Sequence, residues 1–182
     1  MTRSSGGLQC ALAFAALMAA GQALAETDVE RLKRSGECAG CDLRLSELRG
    51  LAIDNAMLER TNLREADLKE SVLTGANLKG ADLRRTEMER ANLAGADLTG
   101  GSMRGVDLEK AVLTGARLDG ADLRNADLIE VNLEGASLVG VDLRQALLIR
   151  ISAEGADFSK AKMDSANLER ANLTGANLAG VR

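Results

Sequence analysis

The chain of 182 residues has no histidine, no proline, no tryptophan and no tyrosine, and only two phenylalanines. Without histidine it lacks the side chain that most readily serves as a general base near neutral pH or as a neutral metal ligand. Without proline its turns must be made by other residues, and without aromatic bulk its core must be aliphatic. Neither sign of charge dominates: 23 Lys and Arg stand against 27 Asp and Glu, a net of −4, with both signs interspersed. That balance lacks the dense basic footprint of a nucleic-acid binder. The function classes that remain are those that need no reactive centre.

What the chain does have is a period. From Leu43 to Leu178 a leucine-like residue returns every five positions, 28 times without insertion or deletion, and 22 of these are Leu. The exceptions are Ile53, Met88, Met103, Ala153, Phe158 and Met163. A small residue, most often Ala, stands two before each, Asp or Asn usually lies between, and Gly often follows two after. On an α-helix five residues advance about 500°, which scatters the leucines around the axis. On a straight strand an odd period alternates them between faces. Both conflicts vanish if the chain turns a corner once per unit, with Ala and Leu inward and Asp or Asn outward. Glycines such as Gly75, Gly95 and Gly115 supply corners with positive φ. The outward Asp and Asn are expected to hydrogen-bond nearby backbone and not to act as catalytic carboxylates.

Arginine follows the leucine at Arg44, Arg64, Arg84, Arg104, Arg124 and Arg144, all spaced by 20. That spacing favours four units per turn over three, although a 20-residue gene duplication would leave the same trace, and 28 units at four per turn give about seven coils. The interior deficit at Ala153 falls in the same turn as Phe158, the one aromatic residue beyond the N-terminal region.

The unit Ala-Asn-Leu-Ala-Gly-Ala-Asp-Leu-Thr-Gly at 91–100 resembles that of the pentapeptide-repeat proteins residue for residue, and the likeness covers 41–182. The resemblance implies an all-β fold, a right-handed quadrilateral β-helix with no catalytic residues of its own. Outward departures at Met57, Val72, Val112 and Leu147 leave that expectation intact.

Residues 1–25 read as a secretory signal peptide: Arg3 near the start, an apolar run from Leu8 to about Ala20, and Ala23-Leu24-Ala25 as a small-x-small cleavage site. The run is shorter than the roughly 18 to 20 apolar residues a membrane span needs, so no stable membrane insertion is expected after cleavage. Cys10 precedes the apolar run and is expected to leave with the peptide. A periplasmic or secreted location follows. Residues 26–40 break the period and read as a short helical N-terminal cap. Thr27 or Asp28 caps the helix, Val29 and Leu32 lie one turn apart, and Ser35-Gly36 ends it. Residues 41–182 form the β-helix.

Cys38 and Cys41 fall at the seam. No His follows for haem attachment, no further Cys or His completes a zinc site, and no βαβ context supports a redox motif. A disulfide, or a buried pair that locks the cap onto the first coil, is expected.

No catalytic residue, metal or cofactor is assigned. Two surface features stand out. The stripe Arg44, Arg64, Arg84, Arg104, Arg124 and Arg144 either binds an anionic surface or is neutralised by neighbouring Asp. The outward aliphatics Ile129, Leu147 and Ile149 align on the adjoining side as a candidate protein contact. With no segment to cover the last coil, end-to-end homodimerisation through it is expected. The function that results is an exported, non-enzymatic scaffold or protein-interaction module. One alternative is a cytoplasmic gyrase-protecting DNA mimic, as the resemblance allows. The other is an anionic-surface binder.

Overall fold

The computed structural model describes residues 26–182; the segment read as a signal peptide lies outside the described residues. The one helix among the described residues, α1 (Asp28–Ser35), starts where the side chains can satisfy its free N–H groups. The Thr27 hydroxyl accepts from the Glu30 N–H at 3.2 Å, and the Glu30 carboxylate accepts from the Thr27 N–H at 2.9 Å. This reciprocal capping box satisfies donors the helix leaves open. Gly36, with φ 72°, ends α1, and its N–H donates back to the Leu32 carbonyl.

Beyond α1 the chain is a ladder of isolated parallel bridges, every one joining a residue to the residue twenty further on, from Glu37–Met57 to Asp157–Asn177. Four columns result, headed by Asp42, Glu47, Ala52 and Glu37, and these are called the first to fourth sides below. Each inward residue donates upward, as Leu63 does to the Asp82 carbonyl at 2.8 Å, while the next coil's outward residue donates downward, as Asp82 does to Thr61 at 3.0 Å. A corner closes each unit. The Ala66 N–H reaches the Leu63 carbonyl at 3.0 Å, and Glu65 between them has φ 58°. The outward carboxylates and amides bind backbone two residues on, as Asp67 accepts from the Lys69 N–H at 3.0 Å and Asn92 from Ala94 at 3.1 Å.

The core is the column of fifth residues with the small residues beside them. From Leu58 to Phe158 the fifth-position side chains are at most 1% exposed. Each buried Leu contributes about 1.5–3 kcal/mol, which is how an almost aromatic-free rod holds together. Ala153 and Phe158 are both fully buried in one turn. Thr61 and Thr86 occupy small-residue positions, and their hydroxyls donate to the buried carbonyls of Cys38 and Leu63.

The repeat starts one unit earlier than its leucines show. Glu37 already bridges Met57, Cys38 sits at the leucine position with 1% exposure, and Gly40 turns the corner with φ 70°. Residues 36–40 are thus a coil unit and not part of the N-terminal segment. Cysteine at the leucine position disguises them.

Candidate functional surface

On the first side, most of the arginine column is neutralised locally. Arg44, Arg124 and Arg144 each reach the Asp two residues earlier at 2.6, 2.6 and 2.7 Å, and Arg84 pairs with Asp82 in the same way. The unit dictates this geometry: both side chains leave the same short extended segment, and the Asp already accepts from the Arg N–H. The guanidinium hydrogen bonds hold Asp42, Asp82, Asp122 and Asp142 below the ordinary carboxylate range and raise the four arginines. Arg64 follows Asn62 and turns instead to Glu65 at 3.2 Å. Arg104 follows Ser102 and has no carboxylate within 4.0 Å among the described residues. The column is not a uniform anion stripe; five of its six charges are paired, and one is open.

On the second side the three aliphatics fall in register on neighbouring coils. Asp127 bridges Leu147, and the Glu130 N–H donates to the Ile149 carbonyl at 2.9 Å, which stacks Ile149 above Ile129 with Leu147 beside it. Leu147 is 39% exposed, whereas the two isoleucines are half-buried. An Arg150–Glu130 pair at 3.1 Å borders them. Burial, then the carboxylates of Asp107 and Glu109, pushes the Asp127 carboxyl up. The other exposed large apolars, Leu45, Met57, Val112 and Leu178, lie on other columns and do not extend this patch.

Cys38 and Cys41 form a disulfide with their Cα atoms 5.2 Å apart. Because Cys38 is already a coil residue, the bond itself joins two successive coil units, while its sulfurs pack against α1, Cys38 Sγ lying 3.3 Å from the Asp28 carbonyl oxygen. Further contacts hold α1. Leu32 is fully buried, the Asp28 carboxylate accepts from the Asp42 N–H at 2.9 Å, and the Arg31 guanidinium approaches Cys41 Sγ at 3.8 Å. The Asp28 carboxylate and the two sulfurs lie within 4.8 Å of one another, but bonded sulfurs are not the thiolates a metal requires. No described helix is long and apolar enough to cross a membrane.

A β-helix of five-residue units with ladders of outward polar side chains is a scaffold architecture. The family model for pentapeptide repeats matches eight copies, over residues 53–90, 91–128, 126–150 and 154–182. The chain belongs to the pentapeptide-repeat family, whose members form right-handed β-helices and are generally structural or interaction proteins. Among solved structures it is similar to full-length QnrB1, a plasmid-mediated fluoroquinolone resistance protein, with 18% identity, 80% of this chain and 81% of that one covered, and a TM-score of 0.55. It is also similar to HetL from the cyanobacterium Nostoc sp. strain PCC 7120, a pentapeptide repeat protein involved in heterocyst differentiation regulation, at 27% identity, 77% coverage of each chain and a TM-score of 0.33. Rfr23 from the cyanobacterium Cyanothece 51142 gives 25% identity over 85% of this chain and 95% of that one, with a TM-score of 0.37. No curated protein sequence matches the chain.

Proposed function

We propose that this protein is an exported, non-enzymatic interaction module, a quadrilateral β-helix of about seven coils, closed at its start by α1 and self-associating through its last coil. The observation that carries the self-association is the exposed interior there. Leu178 is 45% exposed, whereas Leu58, Leu78, Leu98, Leu118 and Leu138 of the same column are at most 1% exposed. Leu168 and Leu173 are likewise only partly buried. The N–H groups of Leu168, Leu173 and Leu178 and the carbonyls of Ala166, Ala171 and Ala176 have no backbone partner among the described residues, although the matching groups in lower coils all do. An edge that offers donors and acceptors at alternate positions around an apolar centre is complementary to itself across a two-fold axis. The Ile129, Leu147 and Ile149 patch is a second, smaller contact for a protein partner.

Export rests on the leader-like residues 1–25, and N-terminal sequencing of the protein from fractionated cells should begin at Glu26. A cytoplasmic location would remove that part of the proposal. The leader-like residues 1–25 weigh against the DNA-mimic alternative, which acts in the cytoplasm. Sedimentation equilibrium tests the self-association. A dimer that Leu178→Glu converts to a folded monomer supports it, and a wild-type monomer across the micromolar range refutes it.

A further inference from the structure

The column of six arginines has a gap in its neutralisation at one coil, where two departures coincide. The outward position before Arg104 is Ser102, where Arg44, Arg84, Arg124 and Arg144 have Asp. Arg104 consequently has no ion pair among the described residues, while the carboxylates of Asp82 and Asp122 on the coils below and above are engaged by Arg84 and Arg124. The corner after it is Gly105, the one glycine in a series otherwise occupied by Leu45, Glu65, Arg85, Asn125, Gln145 and Ser165. Removing a side chain there opens the surface beside the unpaired guanidinium.

The result is a groove of about 410 Å³ lined by Arg64, Arg84, Arg85, Arg104, Gly105 and Asn125. A second groove of about 300 Å³, lined in part by Arg124 and Arg144, shares Arg104. Four guanidiniums face the first, and two carboxylates, Glu65 and Asp82, are paired to three of them. The local excess is two positive charges on a chain whose net charge is −4. A guanidinium presents a planar fork of donors suited to oxyanions. An excess of two charges matches a phosphate monoester, which carries about −1.5 to −2 near neutral pH.

We propose that Arg104, with Arg84, Arg85 and Asn125 around the Gly105 opening, forms a binding site for a phosphoryl dianion, supplied either by a soluble phosphate monoester or by a monoester lipid headgroup. The site is independent of the pairing at the last coil.

Ser102→Asp tests it most cleanly, because that change restores the carboxylate that neutralises the four other arginines and leaves Arg104 in place. Inorganic phosphate titrated into the isotope-labelled protein at constant ionic strength should shift the Arg104 Nε–H and the Gly105 amide saturably. The shifts should weaken when pH is lowered enough to make phosphate a monoanion. Ser102→Asp and Arg104→Gln should each reduce affinity about tenfold or more, whereas Thr74→Asp, with the same change of net charge on the third side, should not. Co-sedimentation with vesicles containing phosphatidic acid, lost in Ser102→Asp, would assign the source to a headgroup; phosphate binding without vesicle binding would assign it to a soluble ester. Shifts spread evenly over all six arginines, equal losses in Ser102→Asp and Thr74→Asp, or no response to either probe would overturn the proposal.

Discussion

The first and last described coils differ in how far their apolar interior is covered. At the start, α1 lays Leu32, fully buried, into the core of the first coil, and Leu43 and Leu48 beneath are at most 1% exposed. At the finish the same kind of side chain, Leu178, is 45% exposed, and the inward N–H groups around it have no acceptor among the described residues. A solenoid unit buries its apolar face only against a neighbour, so each terminal coil needs a cover. We propose that the first coil takes its cover from α1 and the last from a second copy.

That contrast can be broken most forcefully at Leu32. Leu32→Ala removes a fully buried side chain and should cost about 2–5 kcal/mol in chemical denaturation; a loss near zero would mean α1 does not close the first coil. Gly36→Ala comes next. The position has φ 72°, and a Cβ there would lie 2.9 Å from Ile53 Cγ2, so about 1–2 kcal/mol should be lost from backbone strain alone, with the contact adding to it. Thr27→Ala opens the capping box and should cost about 0.5–2 kcal/mol.

The same box gives a pH dependence of known sign. Hydrogen bonds from the Thr27 backbone and then its hydroxyl hold the Glu30 carboxyl below its ordinary 4.5. A depressed carboxyl stabilises the fold above that ordinary value, and the contribution is lost as pH falls through the lowered value. Acid should therefore loosen α1 early, seen as movement of the Thr27 and Glu30 amide resonances before the coil melts. The smallest effect sits at the other end. Leu178→Ala should change the stability of the monomer by no more than about 0.5 kcal/mol while weakening self-association, and a loss as large as that at Leu32 would erase the difference between the ends.

The period of five made the fold legible, because no straight element tolerates it and only a corner per unit reconciles the leucines with the alanines. It also gave the separation of twenty, from arginine spacing alone. It did not reveal how the corners are made. Fifteen non-glycine residues, among them Arg85, Arg90, Lys110 and Glu130, adopt φ between 54° and 62°, a conformation that costs an L-residue about 1–2 kcal/mol. Backbone bonds to the next coil, such as Lys110 N–H to the Ile129 carbonyl at 2.9 Å, hold them there. Residues 36–40 escaped notice because Cys38 takes the leucine position. With that boundary the disulfide reads as a link from the N-terminal segment to the coil, whereas the bond itself spans two coil units and meets α1 through its sulfurs. At the surface, six arginines looked equivalent in spacing, and only the residue two before each separates Arg104 from the others. The Ser102 signal was present in the sequence, but its meaning depends on Asp82 and Asp122 being already engaged, a fact of side-chain geometry. The Ile129, Leu147 and Ile149 alignment was readable because it needs only the period.

Amide hydrogen exchange at Leu168, Leu173 and Leu178, followed as protein concentration is raised, tests most directly whether the last coil is covered by another copy. These three N–H groups should exchange freely at high dilution and become protected over the same concentration range in which the sedimented mass doubles, while Leu118, bonded to the Ser137 carbonyl at 2.7 Å, stays protected throughout. Unchanged, rapid exchange at all three in a sample that is already dimeric would place the contact elsewhere and contradict the pairing of open ends.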